Sequence, residues 1–434
     1  MLTSLLGWHG ELAPGHRRDA GGELLLGGIP AWELAGSFGT PLLVIDLGVV
    51  DDAVRTLTGS AAAHGADVSY AAKAFATTEF LRHLARHPIG VDVCSLGELV
   101  TAERAGFAPE RITLHGAGKS QEELAAAVAG RLGRIVVDGL EELGRLAALS
   151  EGVPRVNVML RLNVGIEAGN HAYVRTGGND TKFGIHLRDE SAAAALIKNN
   201  PQLQFAGLHA HLGSQIYESG AYAQNASALV EAAARFASEG LNSEQIVIGG
   251  GFGVPSHPGA VPGQLPIETA IAGAAQSLRA AALARSLPVP RLGLEPGRAI
   301  VALAGTTLYR VLAVKRQSER TFLVVDGGVG ENPRPALYGA YHHVVTASAV
   351  SGIGEDMTLC GRSCENDELG NVRLPAGIAA GALLAMCSTG AYTYSMAGNY
   401  NRIPRPAVVG VHGGLRQPLA RRESVEDVLR TDSV

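Results

Sequence analysis

Short apolar runs alternate with amphipathic segments between about residues 65 and 297. The intervening segments, such as residues 121–132 and 221–239, carry apolar side chains at the helical period, and Ser120 with Glu123 forms a candidate capping box. Eight of the runs have the length of strands, at residues 67–73, 91–95, 112–116, 134–138, 156–163, 205–213, 245–251 and 291–297. Eight strands that alternate with helices predict an α/β fold of the (β/α)8 barrel type rather than a doubly wound sheet.

Past residue 297 the alternation stops. Residues 301–314 and 321–326 have the pattern of strands with no helix between them, and strand-like runs return after Arg405. We therefore predict a barrel domain at residues 41–297, followed by a mostly β domain at residues 298–434. The N-terminal segment, residues 1–40, and the run at residues 41–45 contain short apolar runs typical of β-strands, which predicts that they contribute to the second domain.

The composition fits a globular protein with a large core and excludes several partners. The 434 residues are 46% hydrophobic and 18% charged, and the formal net charge is −5. Because there is no long basic block, we expect neither nucleic acid nor an anionic membrane surface as a partner. Glycines and polar residues interrupt the longest uncharged stretch, residues 374–401, so no membrane span is predicted.

Cysteine usage favours a reducing compartment. The four cysteines, at positions 94, 360, 364 and 387, are too few and too unevenly spaced for a disulfide framework. The first seven residues lack the basic region and the long apolar core of a signal peptide. We therefore expect a cytoplasmic protein.

The first candidate strand ends in Lys73, one of five lysines in the chain. A barrel presents its reactive side chains where its strands end, so a lysine amine there is a candidate for covalent catalysis. The alternative is a surface lysine that closes a strand. The other strand ends carry many functional groups: Ser95 near Glu98, His115, Asp138, Arg161, Asn163, His209, His211, Ser214, the run from Gly249 to Gly251, and Glu295 with Arg298.

Three of these strand ends leave alternatives open. The run Gly249-Gly-Gly-Phe-Gly253 either wraps a phosphate with its backbone N–H groups or forms a tight turn, and it lacks the pattern of a dinucleotide fingerprint. His209 and His211 could begin a metal site, but no third ligand has a suitable spacing, so stacking on a planar cofactor or burial in the core is favoured and no metal is expected. The carboxylate of Glu295 needs a protonated nitrogen or an arginine as its partner.

Five short motifs stand out in the barrel region: Tyr70-Ala-Ala-Lys73-Ala, Thr181-Lys-Phe-Gly184, His209-Ala-His-Leu-Gly-Ser214-Gln, Gly249-Gly-Gly-Phe-Gly253 and Glu295-Pro-Gly-Arg298. Together with motifs up to residue 401, they resemble the pyridoxal-phosphate (PLP) decarboxylases of the alanine-racemase-like barrel type. The matches that narrow the resemblance to the diaminopimelate decarboxylase family are Arg334-Pro-Ala-Leu-Tyr338, Cys364-Glu365, Gly390-Ala-Tyr392, Ser395-Met396 and Asn399-Tyr-Asn401. The resemblance implies PLP as cofactor, conversion of meso-2,6-diaminopimelate to L-lysine and CO2, and a homodimer whose sites are shared between subunits.

The same resemblance implies a cofactor site. Lys73 would bond covalently to PLP, His211 would stack on the pyridine ring, and Glu295 would pair with the protonated ring nitrogen. The residues implied at the phosphate are Ser214, Gly249, Gly250, Gly251 and the backbone of Gly297 and Arg298, and Tyr392 is implied near both cofactor and substrate.

Substrate recognition is implied for residues of the second domain. Arg298, Arg334 and Tyr338 would hold the distal carboxylate, because guanidinium groups suit carboxylates. Glu365 would bind the distal ammonium group. Cys364 of the partner subunit would return a proton after CO2 leaves, and with Lys73 and His211 it completes the expected catalytic set.

The chain also departs from the family pattern at residues 117–118, 329–333, 362 and 366–367. The last two departures flank Glu365, so they bear on the identity of the substrate. One alternative function is therefore a related decarboxylase for another basic amino acid or a carboxylated polyamine. A second is a non-catalytic PLP-binding regulator, although such proteins typically lose the lysine or the proton donor, and Lys73 and Cys364 are both present.

Overall fold

The structure is a computed structural model that describes residues 8, 12–166, 181–258 and 267–432. Its strands in these ranges are β1 (His16–Arg18), β2 (Leu24–Leu26), β3 (Ile29–Pro30), β4 (Leu42–Asp46), β5 (Ala66–Ala71), β6 (Gly90–Val93), β7 (Ile112–Leu114), β8 (Arg134–Val137), β9 (Val156–Asn163), β10 (Ile185–His186), β11 (Leu203–His209), β12 (Gln245–Val247), β13 (Arg291–Leu294), β14 (Gly305–Arg316), β15 (Thr321–Val325), β16 (Val344–Thr346), β17 (Gly354–Cys360), β18 (Glu368–Pro375), β19 (Leu383–Cys387), β20 (Ala407–His412) and β21 (Leu415–Ala420). Its helices there are α1 (Ala31–Phe38), α2 (Leu47–Ala63), α3 (Thr78–Ala85), α4 (Leu96–Ala105), α5 (Gln121–Val128), α6 (Leu140–Leu149), α7 (Glu190–Lys198), α8 (Ser219–Ser238), α9 (Ile267–Ala284), α10 (Arg298–Val301), α11 (Arg334–Tyr338) and α12 (Val425–Leu429).

Eight parallel strands close into a barrel. They follow one another around the ring in the order β5, β6, β7, β8, β9, β11, β12 and β13, and β13 pairs with β5 to complete it. Helices α3 to α9 lie between consecutive strands along the chain. The two-residue strand β10 pairs with β9 outside the ring. The predicted (β/α)8 barrel is confirmed.

The predicted strands mostly run past the ends of the observed ones. β5 ends at Ala71 rather than at residue 73, β11 ends at His209 rather than at residue 213, and β12 ends at Val247 rather than at residue 251. The reason is that the segments after the strands stay buried: Leu212 and Ile248 are each 1% exposed. An apolar pattern reports burial, and here burial continues into loops where the strand ladder has already ended.

Helix positions follow the amphipathic segments closely. Ser120 and Glu123 form the predicted capping box, in which each side chain accepts a hydrogen bond from the other residue's backbone N–H. Helix α5 begins directly after Ser120. The segment at residues 221–239 corresponds to α8. None of the described helices combines the length and the apolar character that crossing a membrane would require.

A second sheet of nine strands is built mostly from the C-terminal part of the chain. Its main order is β18, β17, β15, β14, β4, β20 and β21, and β19 pairs with both β14 and β16. Most neighbours are antiparallel, but β15 with β17 and β4 with β20 are parallel. The predicted mostly β region after the barrel is confirmed.

The N-terminal segment shares an apolar core with this second sheet. Leu24, Leu26 and Leu34 belong to one cluster with Val44 and Val409, so β2 and α1 pack against strands β4 and β20. A second cluster, on the other part of the sheet, joins β14, β15, β17, β18 and β19 around the fully buried Tyr309. Burial of these side chains fixes which face of each strand points inward.

The described residues fall into two compact units. One unit comprises residues 54–253 and the segment of α9 and β13 that ends at residue 297, and it contains the whole barrel. The other unit contains the chain up to residue 53, the segment around Val254 and the chain from Arg298 onward. The boundary predicted at residue 41 is therefore too early, because β4 pairs with β14 and β20 and not with a barrel strand.

Candidate active site

Lys73 lies just past the first barrel strand, in a single turn of 3-10 helix at Ala72–Ala74. Ala72 and Ala74 are completely buried, whereas Lys73 itself is exposed. The turn is held by the buried Tyr70, whose hydroxyl donates a hydrogen bond of 2.8 Å to the carbonyl of Phe75. No other described residue forms a hydrogen bond or an ion pair with the Lys73 amine. The local fold therefore presents an unpaired amine at the carboxyl end of the barrel.

The end of the eighth strand lies against this turn. The backbone N–H of Ala71 donates to the carbonyl of Pro296 at 3.2 Å. A Cβ on Gly297 would lie 3.0 Å from the Cβ of Ala74 and 3.1 Å from the carbonyl of Ala71, which leaves little room for a side chain. Barrel closure through β13 and β5 thus brings the segment after Glu295 to the segment that carries Lys73.

His211 is fixed in orientation and in protonation state. The backbone N–H of Gly250 donates to Nδ1 of the His211 ring at 3.2 Å. Burial, with a contribution from the positive charge of Lys73, lowers the pKa of His211 well below its usual value. A ring that accepts at Nδ1 and is neutral carries its proton on Nε2, so this imidazole is a flat, uncharged surface.

The glycine run after β12 packs its backbone directly against neighbouring backbone. Gly249 and Gly251 have φ angles of +74° and +84°, which side chains rarely tolerate. A Cβ on Gly250 would collide with the carbonyl of Glu295, and one on Gly251 would collide with the carbonyl of Gly213, the residue before Ser214. Segments 213–214 and 249–251 therefore lie backbone against backbone next to the hydroxyl-bearing Ser214, and glycine backbone of this kind suits a small anion such as a phosphate group.

Glu295 is an ionised carboxylate inside the barrel. Its two oxygens lie 3.0 Å from Nε2 of His209 and 3.2 Å from Nε2 of His115. Burial works to raise the pKa of Glu295, but His209 and His115 outweigh it and hold that pKa well below the usual range. The alternative partner considered from the sequence, an arginine, makes no ion pair with Glu295 among the described residues.

The two histidines beside Glu295 differ in charge. Burial opposes protonation of His115, but Glu295 and Asp92 together raise its pKa to about 9. Burial lowers the pKa of His209 to about 4. At neutral pH the cluster therefore holds a protonated His115, a neutral His209 and an ionised Glu295, while burial and the charge of Glu295 raise the pKa of Asp92 to about 6.

From the sequence, His115 is only a strand-end group, His209 is a candidate metal, stacking or core histidine beside His211, and Asp92 has no assigned role. Asp92 belongs to β6 and is 7% exposed. A charged residue in the middle of an apolar strand is the signal that could have identified it, since a buried carboxylate needs a partner. The ligand atoms of His115, His209 and Glu295 also lie within 4.8 Å of one another. Additional neighbours of His209, which the spacing of residues along the chain did not reveal, therefore come from distant strands.

In the other unit, two arginines share one tyrosine ring. The guanidinium groups of Arg298 and Arg334 lie 4.8 Å and 5.8 Å from the centre of the Tyr392 ring, and Arg334 also lies 5.5 Å from the ring of Tyr338. Tyr392 has a φ of +60°, a conformation that costs a non-glycine residue about 1 kcal/mol. In this conformation the Tyr392 ring lies within 6 Å of both guanidinium groups.

The two arginines form a concentrated positive site. Burial first, and then the positive charge of Arg298, lower the pKa of Arg334 to about 10, so Arg334 remains a cation at neutral pH. No carboxylate of the described residues forms an ion pair with Arg334. The positive charge of Arg298 disfavours the charge of Arg334, and an anion bound beside Arg334 would offset this repulsion.

Cys364 and Glu365 lie together on an exposed loop of the same unit. The backbone N–H of Cys364 donates to Oδ1 of Asn401 at 3.4 Å, and the hydroxyl of Tyr400 donates to Oε1 of Glu365 at 2.7 Å. Cys364 is a free, exposed thiol. In the sequence, Asn401 and Tyr400 are only part of a motif match, whereas in the structure their side chains hold this loop.

The barrel residues fit PLP group by group. An unpaired amine (Lys73), a flat neutral imidazole (His211), an ionised carboxylate (Glu295) and a glycine-lined floor beside Ser214 match the aldehyde, ring, ring nitrogen and phosphate of that cofactor. The buried atoms Nε2 of His115 and Oδ2 of Asp92 have no well-aligned hydrogen-bond partner in the described chain. A carboxylate can accept about four hydrogen bonds, so Glu295 can bind a ring N–H in addition to its two histidines.

Substituting Gly249 with alanine is expected to weaken PLP binding by about tenfold or more. A Cβ at this position would lie 2.5 Å from Nδ1 of His211 and would break the hydrogen bond that orients the ring. Titration of the apoprotein with PLP, followed by absorbance, measures the effect. Gly273→Ala in α9 is the control, because a Cβ there meets no atom within 4 Å. Equal affinities of the two variants would contradict the role given to the His211 orientation.

Comparison with known proteins gives a consistent result. The model of the family described as pyridoxal-dependent decarboxylase, pyridoxal binding domain, matches residues 52–302. A diaminopimelate decarboxylase of Actinosynnema pretiosum subsp. auranticum is 43% identical over 419 residues, which is 95% of this chain and 93% of that protein. The diaminopimelate decarboxylase of Bacillus subtilis is 36% identical, with 96% of each chain covered.

A solved structure extends the likeness to the fold. The crystal structure of the diaminopimelate decarboxylase of M. jannaschii in complex with L-lysine superposes with a TM-score of 0.89 at 27% sequence identity. The match covers 96% of this chain and 98% of that chain. Barrel and second sheet are therefore both represented in that protein.

Proposed function

This chain belongs to the diaminopimelate decarboxylase family of pyridoxal-dependent enzymes, and we propose that it removes one carboxyl group of meso-2,6-diaminopimelate to form L-lysine and CO2. It is a PLP-dependent carboxy-lyase, and the reaction is the last step in making lysine. The family supplies the class of chemistry, and the residues of this chain determine how the substrate is held.

The observation that carries the choice of substrate is the positive site around Tyr392. Arg298 and Arg334 both lie over that ring, and burial and mutual repulsion lower the pKa of Arg334 to about 10. Diaminopimelate carries a carboxylate at its far end, and that group would pair with Arg334 and offset the repulsion from Arg298. Lysine and ornithine carry only an ammonium group there, which two arginines would repel. Tyr338, beside Arg334, completes the proposed carboxylate site.

We propose that the barrel residues hold the cofactor. Lys73 supplies the amine for the covalent bond, Ser214, Gly249, Gly250, Gly251 and the backbone of Gly297 and Arg298 bind the phosphate, and Tyr392 lies near cofactor and substrate. Bound there, PLP supplies a sink for the electron pair that remains when the carboxyl group leaves as CO2. Glu295 would keep a negative charge at the ring nitrogen, and the neutral ring of His211 would cover one face of the pyridine and exclude water from it.

We further propose that the enzyme acts as a homodimer with shared sites. Cys364 of the partner subunit returns the proton after CO2 departs, and Glu365 binds the distal ammonium group of the substrate. The loop fits this role because Cys364 is an exposed free thiol and Glu365 is held by the hydroxyl of Tyr400. The four free cysteines also support the proposal that the enzyme works in the cytoplasm.

A substrate panel tests the proposed reaction. CO2 release from meso-diaminopimelate should exceed release from lysine, ornithine or arginine by at least about 100-fold, because each wrong substrate lacks the distal carboxylate that Arg334 would bind. Chromatography should identify the product as L-lysine. Faster turnover of any of the other three substrates would overturn the assignment and favour the alternative decarboxylases.

A chemical test separates an enzyme from a regulator that merely carries PLP. Borohydride treatment of the holoprotein should attach the cofactor irreversibly to the peptide that contains Lys73, as mass spectrometry would show. Lys198 provides the internal control, because its amine is engaged by Glu239 at 2.9 Å and should remain unmodified. Trapping at Lys73 without any CO2 release from the panel would favour the regulator.

A further inference from the structure

A cavity of about 550 Å3 enters the barrel from its amino-terminal end, opposite the end that carries Lys73. Its walls include Ala66 and Gly90, where strands β5 and β6 begin. The exposed residues Pro88 and Glu110 also line it, so the cavity is open to solvent. The interior of a (β/α)8 barrel is usually filled by large branched side chains, whereas the space here is sufficient for a small-molecule ligand.

Three neighbouring strands present Asp92, Thr113 and Arg134 to this cavity. Asp92 of β6 is in register with Thr113 of β7, and Thr113 is in register with Arg134 of β8. Residues in register on parallel strands point to the same side of the sheet, and all three line the cavity. Since neighbouring strands lie about 4.8 Å apart, the Cα atoms of Asp92 and Arg134 are about 10 Å apart, and the small threonine between them leaves room for a ligand.

Arg134 carries its guanidinium group across the mouth of the barrel. Its Nη1 donates to Oε1 of Gln245 on β12 at 2.5 Å, and Nε2 of Gln245 donates to Oδ2 of Asp67 at 2.9 Å. Burial lowers the pKa of Arg134, although an arginine remains a cation at neutral pH. None of the carboxylates in the described ranges forms an ion pair with it. An anion bound beside Arg134 would therefore offset the cost of burying its charge.

Asp92 faces the same cavity with an oxygen that lacks a donor. The side chain is 7% exposed, its Oδ1 lies 3.8 Å from Nε2 of His115, and its Oδ2 has no hydrogen-bond partner in the described chain. The charged groups nearest to it are Glu295 after β13, His115 after β7 and Arg134 on β8. Further charged groups that line the cavity are Asp67, Glu110, Arg111 and Arg291. Because a buried carboxylate without donors is unfavourable, a cationic group in the cavity would stabilise Asp92.

We propose that this cavity is a second binding site, which takes a small zwitterionic amino acid with its carboxylate at Arg134 and its ammonium group at Asp92. A ligand of a single charge would be attracted by one of these side chains and repelled by the other. The site lies at the far end of the barrel from the proposed substrate site and does not depend on the proposed reaction. A bound ammonium group would offset the charge of Asp92, which together with Glu295 raises the pKa of His115 against burial, so occupancy would affect the cluster around Glu295.

Three probes that differ in their charged groups test the site: L-alanine, propionate and ethylamine. Their binding is measured by ligand-observed NMR on holoprotein reduced with borohydride, in which the amine of Lys73 can no longer react with an amino acid. L-Alanine should bind at least about tenfold more tightly than either of the others, because each of them lacks one charge-assisted hydrogen bond. Equal affinities for the three probes would overturn the proposal.

Two substitutions should separate the two charges. Arg134→Gln keeps a hydrogen-bonding group for Gln245, but it should weaken binding of L-alanine and propionate about tenfold and should not weaken binding of ethylamine. Asp92→Asn should weaken binding of L-alanine and ethylamine by a similar factor and should not weaken binding of propionate. Arg285→Gln is the matched control, because it breaks a surface pair with Glu231 at 2.9 Å and should leave all three affinities within twofold of the wild type.

The pH dependence of the wild type decides the question if a variant does not fold. Burial first, and then the charge of Glu295, raise the pKa of Asp92 to about 6, so this carboxylate becomes neutral as the pH falls through that value. Affinity for L-alanine should fall about threefold between about pH 7.5 and about pH 5.5, whereas affinity for propionate should not fall. A flat profile for L-alanine overturns the proposal. Binding of L-alanine that is lost in Arg334→Gln and kept in Arg134→Gln also overturns it, because the amino acid then occupies the proposed substrate site.

Discussion

Replacing Glu295 with glutamine is expected to lower kcat about 100- to 1,000-fold while KM changes little. The carboxylate is ionised inside the barrel because His115 and His209 hold its pKa far below the usual range against the effect of burial. A charged group fixed beside the place where charge develops in the transition state typically contributes a factor of about 100 to 1,000 to the rate. Glutamine keeps the shape of the side chain but loses the charge that stabilises a protonated ring nitrogen, so electron withdrawal from the substrate weakens.

Two measurements accompany the rate. The absorbance of bound PLP should change in Glu295→Gln, and the pKa of His115, raised to about 9 in the wild type by Glu295 and Asp92 against burial, should fall. The sign follows from the loss of the negative charge that favours the protonated imidazole. Glu103→Gln is the control, because Glu103 pairs with Arg131 on the outside of the barrel at 2.7 Å. A kcat within threefold of the wild type would contradict the role of Glu295.

The barrel could be predicted from the sequence because its strands are buried on both faces. Such strands give continuous apolar runs, and their alternation with helices at regular spacing leaves few other folds. What the pattern could not provide is the point at which a strand ends, as at Lys73, which lies in a turn after β5 and not in the strand. Burial of Ala72 and Ala74 prolongs the apolar pattern past the end of the ladder.

The partner of a strand was harder to predict than the strand itself. The apolar run of β4 is followed by a long helix, as in a barrel unit, yet it pairs with β14 and β20. Pairing depends on residues more than 250 positions away, so the strand-like pattern of residues 41–45 indicated the second domain but not which strands β4 pairs with. The same limit applies to the site. Lys73, His211 and Glu295 stood out by residue type at strand ends, whereas the contact of Asp92 with His115 depends on strands that only the fold brings together.

Replacing Arg334 with glutamine is expected to lower kcat/KM for meso-diaminopimelate about 100- to 1,000-fold, mostly through KM. Removing one partner of a buried pair of opposite charges costs about 3 to 4 kcal/mol, and each 1.4 kcal/mol corresponds to a factor of ten. In the substrate-free protein, by contrast, the charge of Arg334 is destabilising, since burial and the positive charge of Arg298 disfavour it and lower the pKa of Arg334 to about 10. The variant should therefore fold with an unchanged or higher melting temperature. Lower affinity with undiminished stability is the signature of a residue that serves binding.

The specificity of Arg334→Gln should change in a defined direction. With one cation removed, the distal ammonium group of lysine is repelled less, so the preference for diaminopimelate over lysine should shrink. Arg334→Lys should recover only part of the affinity, because an ammonium group keeps the charge but loses the two-pronged hydrogen bonding to a carboxylate. Arg373→Gln, which breaks an exposed pair with Asp356 at 2.9 Å in the same unit, is the control for loss of an arginine. If Arg334→Gln retained both the wild-type KM and the wild-type preference, the distal carboxylate would have to be bound elsewhere.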